Sequence, residues 1–188
     1  MDTVLYIKNM VCDRCIMAVT QTLNDQNLHP MSVELGEVHI ADVLSDGQRD
    51  RLRRALENLG FELLDDRRQQ TIGLIKNAII RLVHYNNDHS AVNLSDYLSE
   101  KLHSDYSALS KLFSEVVGKT IERYYIEQRV ERVKELIKYD QLSLTQIANE
   151  MNYSSVAYLS SQFKSVTGMT PSAFKAQKEN TLRALDKI

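Results

Sequence analysis

The 188-residue chain has no tryptophan, two prolines (Pro30 and Pro171), six glycines and two cysteines. So few breakers allow long helices and exclude a Pro/Gly-rich low-complexity segment. Two cysteines cannot staple a disulfide framework; spaced three apart, at Cys12 and Cys15, they point in a reducing compartment to a metal or redox site. No apolar run approaches the roughly 18 residues of a membrane span. The N-terminus also lacks the basic and apolar regions of a signal peptide, so the expectation is a cytoplasmic protein with no membrane partner. No Ser/His/Asp set, carboxylate pair or Gly-rich phosphate loop stands out, which argues against an enzyme. His29, His39, His84, His89 and His103 form no ligand-spaced cluster. Charge of either sign is also missing in excess. Residues 92–188 hold 13 Lys/Arg against 12 Asp/Glu, or +1, and residues 1–91 hold 10 against 13, or −3, for a total of −2. Basic character alone does not announce a nucleic-acid binder.

What is present is ordinary globular material, 43% hydrophobic and 26% charged, in a chain long enough for one large or two small domains. Within it, residues 94–120 reappear without a gap at 144–170. The shift of 50 pairs Leu94 with Leu144, Glu100 with Glu150, Ser104 with Ser154, Leu109 with Leu159, and Ser110 with Ser160. It also pairs Phe113 with Phe163, Val116 with Val166, Gly118 with Gly168, and Thr120 with Thr170. Nine identities stand where chance gives roughly two, so one structural unit occurs twice. Each copy reads as a short helix, a tight break, a second helix closed by Gly, and a Thr that opens a further helix.

In the first copy Asn93 caps a helix through Leu102, and a turn at His103-Ser104 leads to a helix from Asp105 to Val117 packed through Leu109, Leu112, Phe113 and Val116. In the second, Ser143 and Gln146 make a capping box, and Ser154-Ser155 start a helix packed through Tyr158, Leu159, Phe163 and Val166. Thr170-Pro171 opens a final helix with Pro at its first position. Asn152 tolerates the left-handed conformation that the second turn requires. Between the copies, Ile126, Val130, Val133 and Ile137 stripe one long helix from about Thr120 to Tyr139. At 1.5 Å per residue it spans roughly 30 Å, close to the 34 Å or so of one turn of B-DNA. Such a rod suits two readers of neighbouring major grooves.

Residues 74–178 resemble the DNA-binding domain of the AraC/XylS transcription regulators. The resemblance rests on Ser143-Leu-Thr-Gln-Ile-Ala148, Tyr158-Leu-Ser-Ser-Gln-Phe-Lys164, Gly168-Met-Thr-Pro171 and the linker stretch Arg129 to Ile137. It implies one recognition helix presenting Tyr106, Ser107, Ser110, Lys111 and Ser114, and another presenting Ser155, Val156, Ala157, Ser160, Ser161 and Lys164. Lys101, Lys119, Arg123, Lys175 and Lys178 are candidates for phosphate contacts. The small side chains lack the bidentate reach of Arg or Gln, so much of the selectivity is expected from DNA shape and backbone positioning.

Before the repeat, the pattern is β-α-β-β-α-β in under 70 residues. It runs through a strand at 3–9, two within 31–44 on either side of Gly36 and one at 61–64, with a helix from Cys15 to about Gln26 and another from Ser45 to Leu59 closed by Gly60. This order with Met10-x-Cys12-x-x-Cys15 resembles the heavy-metal-associated domain of copper chaperones and metal-pumping ATPases, which implies a ferredoxin-like fold. Asn9 stands where that family has Gly. Two thiolates suit Cu(I), whereas Zn(II) wants two further ligands. The helix dipole is expected to lower the thiol pKa. A polar seam at 65–70 and a helix at about 71–86 with a broad Ile face, ended by Asn86-Asn87-Asp88 and packed against the first repeat, join the halves.

The expected fold is therefore α+β: a ferredoxin-like βαββαβ domain over 1–67, then an all-α domain over 70–188 with helix-turn-helix units at about 92–118 and 142–168 joined by the long helix. The leading function is a bacterial sequence-specific transcription regulator controlled by Cu(I) or Zn(II) at Cys12/Cys15. The alternatives are the same regulator with an N-terminal domain for dimerisation or redox sensing only, or a metal chaperone with a helical scaffold. Double-stranded DNA is the expected partner, with RNA polymerase and a second copy of the chain as further candidates.

Overall fold

The computed structural model describes residues 3–85, 93–177 and 182–188. The chain divides into two compact units, Met1–Ala78 and Ile79–Ile188.

The first unit follows the order β1 (Thr3–Lys8), α1 (Asp13–Asp25), β2 (Pro30–Glu34), β3 (Glu37–Ile40), α2 (Asp46–Asn58), β4 (Glu62–Leu64) and the first part of α3 (Arg67–Ile80). The four strands form one antiparallel sheet in the order β2-β3-β1-β4. Alternation sends Leu5, Ile7, Val38, Ile40 and Leu63 into a core with Val19 and Leu23 of α1 and Leu52 and Leu56 of α2. Local chemistry sets the helix ends: Ser45 and Gln48 form a reciprocal capping box at α2, and Gly60 leaves it at φ +84°. The hairpin between β2 and β3 turns at Gly36, φ +83°.

Helix α3 starts earlier than the 71 expected, because the Asp66 carboxylate accepts from the Arg68 amide at 2.7 Å and the Asp66 carbonyl from the Gln70 amide at 2.9 Å. Nor does the whole helix go with the repeat. From Arg67 to Ala78 it belongs with the N-terminal unit, where Gln70 donates to the Leu64 carbonyl at 3.0 Å. From Arg81 to Tyr85 it widens into a π-turn; Asn86-Asn87-Asp88 lie outside the described residues.

In the second unit, α4 (Leu94–Leu102) and α5 (Tyr106–Val117) precede α6 (Ile121–Tyr139), and α7 (Leu144–Glu150), α8 (Val156–Thr167) and α9 (Pro171–Ala176) follow it. The duplication is physical. From Ser104 to Tyr124 the exposure pattern recurs at Ser154 to Phe174 at every position except Ser114/Lys164. Phe113 meets Tyr124 with ring centroids 5.6 Å apart, and their counterparts Phe163 and Phe174 meet at 5.5 Å. Thr120 and Thr170 both cap the next helix, and Gly118 and Gly168 both close the previous one with φ near +80°. A residue in the left-handed region opens each internal turn, His103 at φ 48° and Asn152 at φ 51°.

Helix α6 has 19 residues, about 28 Å of rod. Its buried face is partly polar. Glu131, 1% exposed, accepts from Lys134 at 2.9 Å and from the Arg183 amide at 2.6 Å. Gln128 donates to Tyr124 Oη at 2.9 Å and to the Leu185 carbonyl at 3.2 Å, and its Oε1 lies 3.0 Å from His84 Nε2. These bonds tie the C-terminal segment and the π-turn onto α6 while leaving its buried polar atoms satisfied. No helix among the described residues is long and apolar enough to cross a membrane.

Candidate nucleic-acid interface

Leu109 and Phe113 anchor α5, and Leu159 and Phe163 anchor α8. Helical geometry therefore turns the opposite faces outward. On α5 these carry Ser107, Ala108, Lys111 and Glu115; on α8 they carry Ala157, Tyr158, Ser161, Lys164 and Ser165, all exposed. Ser110, Ser114 and Ser160 sit half-buried at the margins of these faces.

Several of the expected contact residues already have tasks. Tyr106 donates its phenol to Glu122 at the start of α6; burial and that carboxylate raise the Tyr106 pKa. The Ser107 hydroxyl serves Asp105, the N-cap of α5, and that hydroxyl together with the Ala108 amide holds the Asp105 carboxyl below its usual range. Ser155 caps α8 by accepting from the Tyr158 amide at 3.1 Å. Val156 is half-buried and packs into the core of the second repeat. Lys111 and Lys164 are exposed and have no ion-pair partner among the described residues.

The expected phosphate contacts divide in the same way. Lys101 is exposed. Lys119 and Arg123 both pair with Glu127, at 2.7 and 2.9 Å, and Lys175 pairs with Asp140. Lys178 lies outside the described residues.

Tyr158 departs from expectation. It was assigned to the packing face, yet it is 52% exposed and leans edge-on against Tyr153, with ring centroids 5.9 Å apart. Tyr153, which carries that packing role, donates to Gln162 at 2.6 Å. Arg129 of α6 was also missed as a supporting residue. Its guanidinium lies 4.0 Å from the Tyr153 ring centroid and 5.5 Å from that of Tyr125, and it donates to the Met151 carbonyl at the end of α7. The pattern signal was present: Arg129 stands where α6 passes the second copy, next to the buried Val130.

Residues 98–177 match a family model described as a helix-turn-helix domain. The matched stretch lies wholly within the C-terminal unit, Ile79–Ile188. The chain is 25% identical over 142 residues to the Msm operon regulatory protein of Streptococcus mutans, covering 75% of this chain and 50% of that one. It is 28% identical over 99 residues to the Xylose operon regulatory protein of Escherichia coli K12, covering 52% of this chain and 25% of that one. The chain thus spans half or less of the length of these relatives. A transcriptional regulator structure from Chromobacterium violaceum, described as containing an AraC-type DNA-binding domain, aligns with a TM-score of 0.48 at 22% identity over 56% of this chain and 95% of that one. In the two repeated helix pairs, α4–α5 and α7–α8, α5 and α8 are the second helices.

In the N-terminal unit, α1 begins at Asp13, with Cys12 as its N-cap rather than Cys15 as its first residue. The thiols of Cys12 and Cys15 are half-buried and 3.3 Å apart. Burial raises the Cys15 pKa, outweighing the hydrogen bonds from the Val11 and Cys12 backbone that lower it; the helix-dipole effect expected from the sequence does not prevail. Met10 is fully buried in the core. Among the described residues no group of three or more His, Cys, Asp or Glu is placed to hold an ion, and a four-coordinate Zn(II) wants two ligands beyond the two cysteines. Two soft sulfurs fit the donor set of Cu(I). At metal–sulfur distances on the order of 2.3 Å, the sulfurs must spread before they can lie on opposite sides of an ion.

Proposed function

We propose that this chain is a bacterial transcription regulator that binds double-stranded DNA sequence-specifically through α5 and α8, and that it is not an enzyme. The observation that carries this reading is the twofold recurrence of one exposure pattern. Each copy buries its Leu/Phe face and leaves a polar second helix facing solvent, on either side of a rod of about 28 Å. Phosphate attraction comes from unpaired lysines, and base discrimination from short hydroxyls, methyls and groove shape. RNA polymerase and a second copy of the chain are the further partners such a regulator would meet.

The test uses the full chain and duplexes enriched from a randomised DNA pool. Wild type is expected to prefer enriched over scrambled duplex by at least a hundredfold. Lys111→Ala with Lys164→Ala should lower the slope of log affinity against log salt by up to about two. Equal affinity for enriched and scrambled DNA rejects sequence-specific binding. An unaltered slope rejects these helices as the interface.

The N-terminal unit supports a second reading, a ferredoxin-like heavy-metal-associated domain that senses Cu(I) through Cys12 and Cys15. The strand order β2-β3-β1-β4 and the adjacent thiols favour it. Cys12→Ser with Cys15→Ser should remove stoichiometric Cu(I) binding under reducing conditions while leaving the melting temperature within a few degrees. Tight binding retained by the double variant refutes the site, and unchanged DNA affinity on Cu(I) addition to wild type refutes metal control.

A further inference from the structure

The two copies share a fold but not a surface charge. Aligned at the shift of 50, Asp105, Glu115 and Glu122 of the first copy become Ser155, Ser165 and Ser172 in the second. Each pair occupies an exposed position, so the exchange alters the face that solvent and a ligand meet, not the core. Over residues 94–125 the first copy holds five acids (Asp96, Glu100, Asp105, Glu115, Glu122) against four bases (Lys101, Lys111, Lys119, Arg123). Two of those bases, Lys119 and Arg123, are committed to Glu127. Over 144–175 the second copy holds one acid, Glu150, against Lys164 and Lys175, of which Lys175 is committed to Asp140. Between 104–124 and 154–174 the single position at which the exposure patterns diverge is Ser114/Lys164, where the second copy places an exposed ammonium. At Ala108/Tyr158 it places a half-exposed phenol propped by Tyr153.

A phosphate backbone discriminates between such surfaces. Each phosphate neutralised by Lys or Arg gains counterion-release free energy, while a carboxylate facing it repels. Asp105 stands at the N-terminal end of α5, the end that such a helix directs toward base edges, and Ser155 at the matching end of α8 is neutral. Resting on the regulator reading above, we infer that the two units divide the work unequally: α8, through Lys164 and Tyr158, supplies most of the affinity for DNA, and α5 binds weakly and adds discrimination. Self-repulsion at α5 makes its docking conditional on the anchoring of α8. The preferred site is then asymmetric, with a strongly protected half and a weakly protected half.

Two single variants of the full chain and one charge variant test this on the enriched duplex. With a slope of about 0.9 per phosphate, loss of one contact in 0.1 M salt corresponds to about eightfold. Lys164→Ala is expected to cost at least that, and Lys111→Ala less than threefold. Asp105→Ser keeps a capping hydroxyl, as Ser155 does in the second copy, and is expected to raise affinity at least twofold and to strengthen protection of the weak half-site. A Lys111→Ala loss equal to or larger than that of Lys164→Ala overturns the inference, as does an Asp105→Ser affinity unchanged or lower. Failure of wild type to bind any enriched duplex rejects the regulator reading itself and is thereby distinguished from failure of the division of labour.

Discussion

Replacement of Arg129 by Met tests whether α6 actively holds the second helix-turn-helix unit in place. Arg129 ties three elements together: it belongs to α6, stacks on Tyr153 in the turn between α7 and α8, and donates to the Met151 carbonyl that ends α7. A hydrogen bond from a charged donor contributes about 1.5–3 kcal/mol where water is excluded. Arg129 is only half-buried, so water can replace part of that bond and the lower end applies. The cation–π contact adds on the order of 0.5–1 kcal/mol, and Met keeps most of the aliphatic packing. The sum is about 2 kcal/mol, or roughly a thirtyfold shift toward opening. Because Tyr153 and Met151 lie in the second copy, the loss should be local. Amide hydrogen exchange across Leu144–Thr167 should speed up by about that factor, while exchange across Leu94–Val117 holds within about twofold. Uniform acceleration over both copies, or no change in α7 and α8, would refute the assignment of Arg129 as a strut.

Two further outcomes follow from the geometry. Gly36→Ala places a Cβ 1.8 Å from Asn77 Nδ2 at a φ of +83°; the backbone alone costs about 1–2 kcal/mol. The N-terminal unit should melt several degrees lower, and adding Asn77→Ala should restore only the part due to the clash; a melting curve identical to wild type would contradict this. Glu127 titrates against two opposing influences: burial pushes its carboxyl up, but Lys119 and Arg123 together bring it below its ordinary value. A depressed carboxylate contributes stability that is present above the unfolded value of about 4.3 and lost as pH falls through the folded one. The gap in denaturant midpoint between wild type and Glu127→Gln should therefore be widest near neutrality and close below about pH 4. A gap independent of pH would show that the variant acts through packing instead.

What could be read from the chain was what is local or repeated. Thr120, Thr170, Ser143 and Gly168 place their helix ends because a cap needs only its own turn. Asn152 shows its left-handed turn because few other residues tolerate it. The order β-α-β-β-α-β followed from alternation and helical spacing. What escaped depends on distant neighbours. Arg123 and Glu127 are a local i,i+4 pair, but nothing near Lys119 in the sequence says that it spends its charge on the same carboxylate, and nothing near Lys175 points to Asp140. The Cys15 thiol sits at a helix start that favours the thiolate, yet burial against the N-terminal core decides its direction.

Tyr158 is the instructive failure. An aromatic beside Leu159 and Phe163 reads as a core residue, because large rings bury well and the stripe looks continuous. The repeat held the correction. Its counterpart Ala108 lies on the face opposite Leu109 and Phe113, and two copies of one unit must bury the same positions if they bury the same core. An alanine at an exposed position carries little information, but a tyrosine at the equivalent position must then be exposed as well. Where a duplicated unit conserves its packing and varies its outer face, the variable positions are those free to acquire separate tasks. Ser114/Lys164, Asp105/Ser155 and Ala108/Tyr158 are such positions, and all three lie on or cap the helices proposed to meet DNA.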